Sequence, residues 1–378
     1  MTRPVGRLRR AAVYAGGFMG PFAGGMAAAI LTELGGSFGI SAAAAAACIP
    51  AYLVPFASIM LVSGSIAESV GRARVLRIAY ASYVAAALMC ALAPTWGVFI
   101  AGCVLAGSSN AFTTPILLAT LGRSAAKARL GRALGLYSAA QSLGQLSAPG
   151  FGGLVAVLDW RFAYGAVALV ALVLFVIGVP ADAGSGRLRL RSLVDGITLP
   201  VLRIGGAQFA IGFGALGMAF LIALQAGTEF GSGPAERGLI VMCGGLAAFV
   251  TSPLAGRAVD RWGTKRVMLA GLAMTAAAIA LPPLTHAPWA IALVWSLAFA
   301  SAQLVTVSSN GAVLALPNGG AGVSVTQAFR FFGSAVAPAV VLPIYVAQPG
   351  WGFWVPAIAL IAAMSLLAIS SGRRPRQG

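Results

Sequence analysis

Apolar runs near the 20 residues that an α-helix needs to cross a hydrocarbon core recur along the whole chain. They fall at roughly 11–32, 39–62, 75–94, 97–121, 133–157 and 162–180, and again at 199–225, 238–257, 267–285, 289–316, 323–346 and 352–371. A helix satisfies its own backbone hydrogen bonds, which lipid cannot do. The pattern therefore predicts an all-α polytopic membrane protein of about twelve transmembrane helices. Composition agrees: 59% of the 378 residues are apolar and 9% are charged, too few charges to solvate a globular surface.

The formal charge of +17 would suit nucleic acid if the basic residues formed one patch, but they sit in clusters between the apolar runs. Arg3, Arg7, Arg9 and Arg10 precede the first run. Arg72, Arg74 and Arg77 follow the second, and Arg123, Lys127, Arg129 and Arg132 the fourth. Arg187, Arg189 and Arg191 follow the sixth, Arg257, Arg261, Lys265 and Arg266 the eighth, and Arg373, Arg374 and Arg376 the last. Alternate connections thus hold 21 of the 25 basic residues, the distribution of cytoplasmic loops in a multi-pass protein with both termini inside. The excess charge then faces anionic headgroups rather than nucleic acid. Arg161 and Arg237 fall in loops of the other side, and Arg203 and Arg330 within predicted helices. Cys48, Cys90, Cys103 and Cys243 lie in apolar runs without CxxC spacing, so they read as small buried hydrophobes, and no metal or cofactor is expected. The first run, about 22 residues, is too long for a signal-peptide core and reads as a retained helix.

The chain repeats itself at half its length. Residues 64–76, GSIAESVGRARVL, align with 256–268, GRAVDRWGTKRVM, at an offset of 192. Gly144, Ala148 and Pro149 align with Gly333, Ala337 and Pro338. Two six-helix units of equal orientation follow, because each holds an even number of spans. Their expected limits are an N-terminal bundle over 1–182, a short basic cytoplasmic loop over 183–197 and a C-terminal bundle over 198–378.

On these residues the chain resembles the major facilitator superfamily over essentially its whole length. That family's loop between helices two and three carries a G-x-x-x-D-R-x-G-R-R type signature. Gly256, Asp260, Arg261, Gly263, Lys265 and Arg266 match it, while Gly64, Glu68, Gly71, Arg72 and Arg74 form a first copy in which Glu68 replaces the aspartate and Ser69 the arginine. The resemblance implies a conformational latch at both loops. The fifth span carries Gly135, Gly144, Ala148, Pro149, Gly152 and Gly153, similar to the helix-five pattern of the family's drug and metabolite exporters, with Ala148 in place of a glycine. Small side chains there permit close helix approach, and Pro149 favours a bend. The resemblance implies secondary active transport by alternating access, with efflux of a small organic molecule by a monomer in a bacterial inner membrane. The scarcity of Asp, Glu and His within the spans argues against an enzyme.

Polar residues within spans are costly and mark candidate substrate contacts. Arg330 is the sharpest, about 12 Å into its helix at 1.5 Å per residue, with five donors for an anionic group. By the repeat it corresponds to Gln141, which the pseudo-twofold would set opposite. Gln141 and Gln145 share one helix face, as do Gln327 and Arg330. Asn110, Gln208, Trp295 and Gln303 are further cavity candidates. Uptake of an anionic metabolite through Arg330 is the alternative to export. Protons are the candidate coupling ion, with Glu33, at the outer end of the first span, as the one acid near the first bundle's cavity helices.

Overall fold

The computed structural model describes residues 3–124, 130–178, 197–316 and 319–369. These residues are almost entirely helical, with no strand among them. Helix occupies each of the twelve expected spans, and several spans are broken. In chain order the helices are α1 (Arg3–Gly25), α2 (Leu31–Phe38), α3 (Ala42–Ala45), α4 (Cys48–Val70), α5 (Arg72–Ala91), α6 (Trp96–Asn110), α7 (Thr113–Ser124), α8 (Leu130–Ala156) and α9 (Arg161–Ile177). They continue as α10 (Leu199–Gly214), α11 (Ala219–Phe230), α12 (Pro234–Trp262), α13 (Thr264–Ile279), α14 (Pro288–Leu314), α15 (Gly319–Ala347) and α16 (Pro349–Ile369). Among the described residues, nine helices are long and apolar enough to span a bilayer, or ten with the pair Leu8–Ala29 and Leu31–Phe38, which is bent by 67°.

Large apolar side chains stay exposed along helix faces, for example Leu169, Leu172, Val173 and Val176 on α9. Water would penalise such faces, and hydrocarbon does not. Trp262, Trp289, Trp351 and Trp354 are exposed near helix ends, where an indole meets both headgroup and tail.

Two compact units are present. The first comprises Met1–Leu190 with Gly231–Met242, and the second Arg191–Phe230 with Cys243–Gly378. The expected central loop lies outside the described residues except for Ile197.

Within each unit the repeat reappears as matching contacts. In the first, α1 packs on α8 so closely that a methyl group on Gly144 would lie 2.2 Å from the Phe18 carbonyl oxygen. In the second, α10 packs on α15, and a methyl group on Gly333 would lie 2.1 Å from the Phe209 carbonyl oxygen. Gly25 meets Ala148 in one unit, and Gly217 meets Ala337 in the other. The opening span of each half is interrupted at a similar depth, by 3-10 turns at Ala27–Ala29 and Leu216–Met218.

Candidate functional site

The signature loops turn on one glycine each. Gly71 has φ +106° and Gly263 φ +81°, a region that side chains with a Cβ avoid. Each residue joins two helices without a longer loop. Gly64 and Gly256 lie inside helices with open space around them, so they serve no turn. Arg72 is buried, while Arg74, Asp260, Arg261, Lys265 and Arg266 are exposed. The Arg261 guanidinium stacks 5.7 Å from the Trp262 ring centroid. The Glu68 side chain lies outside the described part of the chain.

Helix α8 uses its small residues on two faces. Gly144, Ala148 and Gly152, spaced by four, face Phe18, Gly25 and Met26 of the first span. Gly150 and Gly153 face Met242 and Pro234 in the first unit's second segment, and a methyl group on Gly238 would lie 2.4 Å from the Pro149 carbonyl oxygen. Gly135 lies in the same helix, upstream of these contacts.

Two of the polar candidates of the first unit, Asn110 and Gln141, have side-chain partners. The Asn110 Nδ2 donates to the Tyr52 hydroxyl at 2.7 Å, and its Oδ1 accepts from Thr113 at 2.7 Å. Gly20 leaves room for this amide. The Gln141 Nε2 reaches the Thr114 hydroxyl at 3.5 Å, and Gln145 is half-buried. A small cavity of about 40 Å³, partly open, adjoins this group and is lined by Gly24, Tyr52, Tyr83, Cys103 and Tyr164 among others. This cavity is not legible in the sequence, because helical spacing does not say which tyrosines converge.

The second unit differs. Gln208 is 1% exposed, and neither of its amide atoms has a protein partner. Gln327 Oε1, Asn310 Oδ1 and Arg330 Nε also lack one. Arg330 is half-buried, with its guanidinium carbon 5.0 Å from the Phe331 ring centroid. No carboxylate lies within ion-pair range of it among the described residues. Its backbone carbonyl packs on Gly212, one helical turn beyond Gln208, which places α10 and α15 in backbone contact here. Gln303 donates to Ser252 at 3.3 Å, and Trp295 is fully buried against Gly244 and Phe299. Buried amides and a guanidinium atom without protein partners are costly in a membrane interior unless water or ligand satisfies them.

Arg161 and Arg237, expected in loops, stand in the first turns of α9 and α12, and each is paired with a carboxylate. Arg161 pairs with Asp159 at 3.7 Å, and Arg237 pairs with Glu33. Each arginine stands out in the sequence as an exception to the charge distribution, but the partner of Arg237 does not, because Glu33 is 204 residues away.

Helices with exposed apolar faces, broken opening spans and unpartnered polar atoms in the second unit define a multi-pass membrane protein of two repeated bundles. A family model described as Major Facilitator Superfamily matches residues 13–188 and 204–378, and the chain belongs to that family. A Mycobacterium tuberculosis protein named multidrug resistance protein B homolog is 22% identical over 305 residues, covering 64% of this chain and 56% of that protein. The chain thus spans little more than half the length of that relative. An uncharacterized MFS-type transporter of Bacillus subtilis, YybF, is 26% identical over 261 residues, covering 64% and 62% respectively. The fold is similar to that of the human organic anion transporter MFSD10 (TM-score 0.71, 17% identity, 97% of this chain and 100% of that one). It is equally similar to a bacterial homologue of the human lysosomal transporter Spinster (TM-score 0.71, 14% identity, 98% and 96%).

Proposed function

We propose that the chain is a secondary transporter that exports a small organic molecule by alternating access. In this reading it is a monomer in a bacterial inner membrane, with both termini cytoplasmic. Gln208, Asn310, Gln327 and Arg330 supply the substrate's polar contacts. The observation that carries this reading is the set of unpartnered polar atoms on α10, α14 and α15. A multidrug resistance relative supports export of an organic molecule.

The absence of an acid paired with Arg330 among the described residues favours a substrate that brings its own negative charge. The same observation supports the second reading, uptake of an anionic metabolite, and the similarity in fold to an organic anion transporter fits either direction. Glu33, paired with Arg237, is the candidate proton carrier. The basic loops around Gly71 and Gly263 act as the latch of one state.

Proteoliposomes loaded with the anionic dye fluorescein test the assignment. The expected result is counterflow that falls at least about tenfold in Arg330→Ala, corresponding to loss of ~1.4 kcal/mol of binding. Arg330→Lys should be intermediate, because an ammonium keeps the charge but loses the planar fork. Wild-type rates in Arg330→Ala would remove Arg330 from the site.

A further inference from the structure

Helix α2 is held firmly to the first bundle. Phe38 sits among Trp96, Phe99 and Trp160, at centroid distances of 5.6, 5.7 and 5.8 Å, and Trp160 Nε1 donates to the Ser37 hydroxyl at 2.8 Å. Glu33 and Thr32, one turn back on this anchored helix, meet a single partner from far along the chain. Arg237 Nη1 donates to Thr32 Oγ1 at 2.6 Å, and Nη2 donates to Glu33 Oε1. The arginine is 4% exposed.

Arg237 comes from the first turn of α12, whose residues up to Met242 belong to the first unit and whose remainder belongs to the second. Below it, Gly238 and Gly153 bring α12 and α8 into backbone contact. A lone charge is costly to bury, and nothing in the topology requires an arginine on the less basic side.

We propose that Glu33, Thr32 and Arg237 form the outer gate of the transport cycle, a latch that fastens the start of α12 to α2 and opens whenever the outer face is accessible. The gate rests on the alternating-access reading above. The pair is incompletely satisfied: Glu33 Oε2, Arg237 Nε and the nearby Ser232 hydroxyl have no protein partner. A buried ion pair gains little net stability unless its remaining donors and acceptors are met. Such a latch closes specifically yet releases without a large barrier, which suits a reversible gate better than a permanent brace.

The test is a distance measurement between spin labels in nanodiscs, with the four native cysteines replaced by alanine. Labels at Leu158 and Leu284, both highly exposed, report the outer ends of the two halves. The double neutral variant E33Q/R237Q removes the attraction without leaving a lone buried charge. It is expected to raise the ratio of long to short distances about tenfold, equivalent to ~1.4 kcal/mol. Thr32→Val should shift it less in the same direction, and the charge-swapped E33R/R237E should return it toward wild type. An unchanged distribution in E33Q/R237Q and Thr32→Val, with only a lower melting temperature, would make the pair structural and overturn the gate. The readout needs no substrate: a shifted distribution in a protein that moves no fluorescein would keep the gate and reject only the assignment of an anionic dye as substrate.

Discussion

Glycine serves three separate purposes in this chain, and each predicts a different response to a methyl group. At Gly144 and Gly333 the added carbon would overlap a backbone carbonyl at 2.2 and 2.1 Å. Neither neighbour can rotate away, so Gly144→Ala and Gly333→Ala should each cost about 1–3 kcal/mol and lower the melting temperature of detergent-solubilised protein. Gly71→Ala and Gly263→Ala, at positive φ, should cost about 1–2 kcal/mol through backbone strain. Gly64→Ala and Gly256→Ala, in open helical positions, should leave the melting temperature unchanged or raise it, since alanine is the better helix former. The spacing of the fifth-span glycines is visible in the sequence, and so is their alignment with the eleventh span. The carbonyl that each one meets is not, because it depends on the axial register of two helices more than a hundred residues apart. Arg237 shows the same limit. Its place on the sparsely charged side marks it as unusual, but only the fold reveals Glu33 as the reason.

At the level of elements, the two halves use equivalent helix pairs, α1 with α8 and α10 with α15, through equivalent residues. This correspondence follows from the offset of about 190 residues that the signature loops first reveal. The breaks in the first and seventh spans were not legible, since both segments are continuously apolar and hydropathy reads through a 3-10 turn. Helix α8 is sandwiched through opposite small-residue faces, with the first span on one side and the start of α12 on the other. Gly238→Ala should pry α12 from α8, because its methyl group would lie 2.4 Å from the Pro149 carbonyl oxygen. The expected result is a loss of about 1–3 kcal/mol in thermal stability. It should also shift the outer distance distribution in the same direction as E33Q/R237Q. In the substrate-binding assignment, the second half supplies the unpartnered polar groups. Asn110 of the first half already spends its amide on Tyr52 and Thr113. Side-chain type alone could not separate Asn110 from Gln208, since both are amides in apolar helices.

For the whole molecule, an even number of spans in each repeat predicts that both signature loops face the same side of the bilayer. Apolar runs and the alternation of basic loops carry that topology directly from the sequence. Labelling with a membrane-impermeant maleimide, comparing right-side-out and inverted vesicles, tests it without any knowledge of substrate. Single cysteines at Arg74 and Arg266, exposed beside the two turns, should react only in inverted vesicles, and cysteines at Leu158 and Leu284 only in right-side-out ones. Reaction of the Arg74 and Arg266 positions from opposite sides would contradict the duplicated topology and the alternating-access mechanism built on it.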